Sequence, residues 1–191
     1  MHPNPKRGRV TGPLLSDIPQ MTKSSVYATD VPLGMLDSYL KRQIEESGLE
    51  LEPDFQRGHV WTPKQKTAFV EFKLRGGRSG REIYMNHTRW GNGASGGWYV
   101  LVDGLQRITT MLEFLRGEVK AFGYTLEQFR DHDILERSME HHLSFRINVN
   151  DLKTREEVLK WYLEMNTGGT PHSPEEIARV KKLYAQSRKG K

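Results

Sequence analysis

The chain has 191 residues, no cysteine and a formal net charge of +5 at pH 7. That length can bury a core without a covalent staple, and the missing thiol excludes disulfides, thiolate zinc sites and cysteine nucleophiles. No apolar run reaches the roughly 18–20 residues needed to cross a bilayer, and MHPNPKRGRV lacks the apolar stretch of a signal peptide, so the expectation is a soluble, cytoplasmic protein without a membrane partner.

The positive charge sits at the ends. Residues 1–10 carry Lys6, Arg7 and Arg9 and no acid; residues 179–191 carry Arg179, Lys181, Lys182, Arg188, Lys189 and Lys191 and no acid. The body between them is therefore mildly acidic. Basic ends can follow a phosphate backbone, or simply keep a chain soluble. Residues 1–25, rich in Pro, Gly and Ser, read as a flexible basic lead-in, 26–186 as one folded domain and 187–191 as a basic tail.

The first periodic segment is PLGMLDSYLKRQIEESG, with Leu33, Leu36, Leu40 and Ile44 at helical spacing and Gly48 as the stop. LELEPDF then alternates in the manner of a short strand, which Pro53 confines to an edge or an end. Thr62-Pro63-Lys64-Gln65 combines an N-cap, proline at the first helical position and a capping box, and predicts a helix to about Arg75. REIYMNH and WYVLVD are two strand-like runs around the glycine-rich TRWGNGASGG, a hairpin pattern. After WYVLVD the period changes: Leu105, Ile108, Leu112 and Leu115 form one helical stripe ending near Gly117. Short helices are expected over 121–140, a strand at LSFRINVN, and two further helices opened by the capping boxes at Thr154 and Ser173. The class is α+β: a small mixed sheet flanked by helices.

Three polar clusters could carry chemistry. DGLQR lies where a strand gives way to a helix, whose first turn offers unpaired N–H groups and the positive end of the macrodipole. There Gly104 would let a phosphate approach the backbone, Arg107 could fork onto it, Gln106 could donate or accept, and Asp103 could cap the helix or bind Mg²⁺. A capped turn with a solvated arginine accounts for the same residues. Gln56 and Arg57, in PDFQRGHVW, could face the same cleft, while Trp61 reads as a staple for the next helix. NTGGTPH could form a backbone nest for an anion or be a plain loop. The histidines show no metal-ligand spacing, and Asp131-His132-Asp133 reads as a solvated turn.

Taken in order, PDFQRGHVW, VLVDGLQRITTMLEFLRG and WYLEMNTGGTPHSPEEI resemble the N-terminal domain of GmrSD-type modification-dependent restriction proteins, a type also similar to the phosphorothioate-sensing SspE proteins. The resemblance spans roughly residues 30–185. It implies a ParB/sulfiredoxin-like fold and NTP binding, with hydrolysis in characterised members, Mg²⁺ as the counterion, and a role in sensing or acting on DNA in anti-phage defence. It assigns the family's glutamine-arginine pair to Gln106 and Arg107, its aspartate to Asp103, the first-motif pair to Gln56 and Arg57, and the third-motif asparagine to Asn166, with Gly168 and Gly169 behind it. Leu105 stands where the family has a further glutamine. Without cysteine, sulfinic reductase chemistry is out. Three readings remain: an NTP-binding and NTP-hydrolysing domain, alone or acting on a separate effector protein; a non-enzymatic DNA- or protein-binding module with a vestigial pocket, using Lys6, Arg7, Arg9, Lys181, Lys182, Arg188 and Lys189; and a metal-dependent nuclease built on Asp103.

Overall fold

The computed structural model describes residues 14, 17–18, 20–56, 58–90, 96–131, 143–167 and 174–189. Among these residues five strands form one mixed sheet: β1 (Tyr27–Pro32), β2 (Leu49–Glu50), β3 (Glu82–His87), β4 (Tyr99–Asp103) and β5 (Ser144–Asn150), in the order β1-β5-β3-β4-β2. β1 runs antiparallel to β5 and β3 antiparallel to β4, while β3 with β5 and β2 with β4 are parallel. The helices are α1 (Leu36–Ser47), α2 (Pro63–Leu74), α3 (Leu105–Leu115), α4 (Arg155–Thr167) and α5 (Pro174–Lys189).

The expected elements form for the expected reasons. Gly48 closes α1 in the left-handed conformation, φ 69°. Thr62 caps α2 with the full capping box to Gln65 and Pro63 inside. The 82–87 and 99–103 runs pair as the hairpin. Thr154 and Glu157 exchange cap bonds at the start of α4, Glu157 N–H to Thr154 Oγ1 at 3.2 Å and Thr154 N–H to Glu157 Oε2 at 3.0 Å.

Three expectations change. The LELEPDF strand is only two residues long, because it lies at the sheet edge and turns away before Pro53, which has no N–H for a ladder. Leu33–Met35 is a 3₁₀ turn leading into α1 rather than its first turn. β1 has no sequence forecast at all: YATDVP alternates poorly and becomes a strand through its pairing with β5. Within 121–140 the described part holds one 3₁₀ turn, Leu126–Gln128, capped by Thr125; 132–140 lie outside the described residues, as does Ser173.

The alternation of each strand divides the core. Ile83, Met85, Leu101, Phe145, Ile147 and Val149 face α1 and α3 in one cluster, with Leu36, Leu40, Ile108 and Phe114. Val100 and Val102 face the other way, into a cluster with Phe55, Trp161, Tyr162 and Val180 from α4, α5 and the loop after β2. Lys66 and Glu113, an ion pair at 2.6 Å with each side chain 19% exposed, tie α2 to α3.

Candidate functional site

β4 ends in Asp103 and α3 begins at Leu105, with Gly104 as the hinge between them. Gly104 has φ 120°, a conformation L residues rarely adopt, and an added Cβ would collide with Ile83 Cδ1. Glycine is thus required by both backbone and packing. Ile108 N–H bonds Gly104 O at 3.0 Å, the first bond of α3, so the amides of 105–107 lie ahead of the helix's own ladder. Just before this junction the β3–β4 register shifts between Tyr84 and Met85. Such a bulge re-aims the residues that follow it.

Around the junction lies a cavity of about 840 Å³. Its polar lining includes Gln56, Asp103, Gln106, Arg107 and Asn166, so all three sequence motifs reach one space. Its apolar wall includes Trp61, Phe69 and Phe72. Trp61 packs edge-on against Phe69, ring centroids 5.1 Å apart; the staple expected of it is therefore also a wall of the cavity. Tyr162 and Met165 close the side formed by α4.

The two glutamines prove to be building parts. Gln106 is buried; its Oε1 accepts from Val60 N–H at 3.0 Å and Trp61 N–H at 3.1 Å, and its Nε2 donates to Gly58 O at 2.9 Å. It holds the 58–61 loop in place of a backbone partner. Gln56 Nε2 donates to Leu101 O at 3.1 Å and Val102 O at 2.8 Å. It takes over the edge of β4 where β2, paired only as far as Val100, has stopped. The loop between them is clasped from α5: Arg179 donates to Asp54 O, and to Phe55 O and Gln56 O at 3.1 Å each.

The charged pair is arranged differently. Asp103 does not cap α3; no side-chain cap bond is made at Gly104. Instead Asp103 accepts from Arg107 one turn on, an i,i+4 ion pair with the arginine 17% and the aspartate 38% exposed at the cavity. Nearby, Lys73 is fully buried and donates to Gly77 O at 2.8 Å. Burial, then the charges of Arg81 and Arg107, bring its pKa down to about 8. Gly80 packs on Arg107: an added Cβ would lie 3.4 Å from its Cδ and 3.1 Å from the Phe69 ring. Burial, then the charges of Glu82 and Asp103, raise the Tyr84 hydroxyl above its ordinary range. Asn166 Nδ2 is spent on Tyr162 O at 2.7 Å, a bond within α4.

Arg57, Gly168, Gly169, Lys6, Arg7 and Arg9 lie outside the described residues, as does the Lys189 side chain. Lys181 and Lys182 are exposed on α5, away from the cavity lining, and Arg188 lies 3.5 Å from Glu156 and over the Tyr184 ring. Among the described residues no group of three or more His, Asp or Glu side chains is placed to hold a metal ion, and no helix is long and apolar enough to cross a membrane. Sequence reasoning missed Phe69, Phe72, Lys73, Tyr84 and Arg179. Each looks like an ordinary helix or strand residue, and only the packing of α2, β3 and α5 brings it to the site.

The order of elements, the strand–Gly104–α3 junction and the convergence of the motifs define a small α+β domain with a polar cleft at a strand–helix turn. The chain belongs to the family described as GmrSD restriction endonuclease, N-terminal domain, whose sequence model matches residues 37–181. No curated protein and no solved structure gives a match.

Proposed function

We propose that the cavity at the β4–α3 junction binds a nucleoside triphosphate, with Mg²⁺, and couples that binding to the recognition of DNA. The observation that carries this reading is convergence: Gln56, Asp103–Arg107 and Asn166, far apart in sequence, line one space that the start of α3 and the rings of Trp61, Phe69 and Phe72 also line. The amides of the first turn and Arg107 would take phosphate oxygens. Trp61, Phe69 and Phe72 offer the base an apolar wall. One carboxylate plus the phosphates of its ligand is a common way to hold Mg²⁺, and Asp103 fits that pattern, being the acid of the cavity lining and half-exposed there. Bound Mg²⁺ would neutralise charge on the phosphates.

The Asp103–Arg107 pair gives this reading a specific electrostatic form. An incoming Mg²⁺–nucleotide supplies a cation for Asp103 and an anion for Arg107, exchanging one ion pair for two. Without the metal, Asp103 repels the phosphates. Calorimetric titration of each NTP is therefore expected to show binding that strengthens at least tenfold with Mg²⁺ in the wild type. In Asp103→Asn most of that dependence should vanish, with metal-free binding improved. Equal Mg²⁺ dependence in both proteins would contradict the assignment.

A second reading, a module that binds without hydrolysing, draws on the commitment of Gln56 and Gln106 to backbone groups, which leaves few groups for turnover. Phosphate release measured with and without DNA separates the two. The nuclease reading would need further acids beside Asp103, and among the described residues no group of three His, Asp or Glu side chains forms. Lys181 and Lys182 are the described basic groups that would meet DNA, and their removal should flatten the salt dependence of DNA binding.

A further inference from the structure

Among the described residues β1 is the outermost strand, paired on one side only. Leu33 N–H donates to Leu143 O at 2.9 Å, continuing the β1–β5 register. Bonded residues alternate in an antiparallel ladder, so Thr29 and Val31 bond inward, while Ala28 and Asp30 turn their N–H and C=O groups outward. Pro32 has no N–H and ends the row.

Beside this edge runs a groove of about 720 Å³, distinct from the nucleotide cavity, with β1 on one side and one face of α1 on the other. Tyr39 and Arg42 lie on that face at helical spacing, in line with Met35 just ahead of α1. Tyr27 and Trp90, ring centroids 5.0 Å apart, close one end. Tyr27 and Met35 stay 43% and 54% exposed. Asp30 is held by Arg81 at 2.9 Å, with Arg146 at 3.6 Å. Arg42 has no hydrogen bond or ion pair among the described residues, so among these the unpaired charge that lines the groove is positive.

We propose that this groove takes an extended, acidic segment of a partner protein, which adds to β1 as a further strand and sets a carboxylate against Arg42. Main-chain bonds to an open edge give such a complex its affinity, and side-chain pockets give it specificity. The aromatic rings alone would also suit a nucleobase, but a base would leave the outward row of Ala28 and Asp30 without a role. An edge strand with no second partner among the described residues, beside a helix, with Tyr27, Val31 and Tyr39 in the groove and a guanidinium unpaired among those residues, matches an extended peptide. The proposal does not depend on nucleotide binding.

Selection of a displayed library of short unstructured peptides on the full chain tests it. The wild type is expected to enrich alternating apolar sequences with Asp or Glu at one fixed position. On Arg42→Glu, an exposed helix position, that position should change to Lys or Arg. The first selected peptide should bind Arg42→Glu at least tenfold more weakly, and its binding should slow amide exchange at Ala28 and Asp30. Ala28→Pro removes one outward donor and leaves the β5 ladder intact, and should weaken binding similarly. The proposal is overturned by no enrichment, an unchanged consensus on Arg42→Glu, or protection confined to other strands. Displacement of the peptide by oligothymidine would mark a nucleic-acid surface instead, and dimerisation that buries β1 would mark a self-association edge.

Discussion

One face of the sheet carries Ile83, Met85, Leu101, Phe145 and Ile147 and is sealed by α1 and α3; the other is apolar over Tyr84, Val100 and Val102 and polar over Arg146, Asn148 and Asn150. The first face joins all the long strands through one continuous cluster. The second is covered by α4 and α5 over its apolar part, through a smaller cluster that holds Phe55, Trp161 and Tyr162, while Asn148 and Asn150 are buried as polar groups, Asn150 donating to Lys23 O. The cavity lies where these two halves meet, with Phe69 and Gln106 from one side and Tyr162 and Asn166 from the other. The fold is thus secured chiefly by one layer, while the site needs both in register. Hydrogen bonds from Gln106 and Arg179 to the 54–61 loop, and from Gln56 of that loop to β4, provide that register.

Core truncations should separate the two layers most strongly. Phe145→Ala and Trp161→Ala, both at fully buried positions, are each expected to cost about 3–5 kcal/mol in denaturant unfolding. In the molecules that remain folded, only Trp161→Ala should also weaken nucleotide affinity, because Tyr162 and Asn166 share its helix, whereas β5, which carries Phe145, lends no residue to the cavity lining. Equal loss of affinity in both would dissolve the distinction.

Next come two buried polar groups. Gln106→Leu keeps the volume but strands two loop amides and a carbonyl, and should cost about 1–3 kcal/mol while lowering affinity. Lys73→Met should do the reverse and stabilise by about 1–3 kcal/mol at pH 7. The folded pKa of Lys73, about 8, lies below its ordinary 10.5, so the unfolded chain binds more protons between those values and wild-type stability rises with pH across that window. Lys73→Met should flatten the rise; an unchanged slope would mean that the rise has another source.

The smallest effect is expected for Arg179→Met. Its side chain is exposed, so the stability loss should be about 1 kcal/mol or less. Loosening the 54–56 loop should nevertheless weaken nucleotide binding severalfold, a disproportion that a purely structural contact would not give.

Local chemistry was readable in the sequence: the capping box at Thr62, the glycine stop at Gly48, and the change of period at Asp103-Gly104. Each is decided by neighbours within a few residues. Side-chain partners were not readable, because they depend on elements far apart. Gln106 looked like a ligand group until the 58–61 loop came to lie across it. Asp103 looked like a cap until Arg107 proved to be nearer. β1 escaped notice because its strand state comes from β5, more than a hundred residues away.

The central claim is that the Gly104 turn and Arg107 form a working phosphate site. Thermal unfolding of the wild type and Arg107→Ala, each with ATP, GTP, CTP or UTP and Mg²⁺, tests it directly. One-site binding at about 100 times Kd stabilises by roughly 2.7 kcal/mol, several degrees for a domain of this size. The account predicts such a shift with at least one nucleotide in the wild type and its loss in Arg107→Ala. No shift with any nucleotide, or one that Arg107→Ala leaves intact, would contradict it.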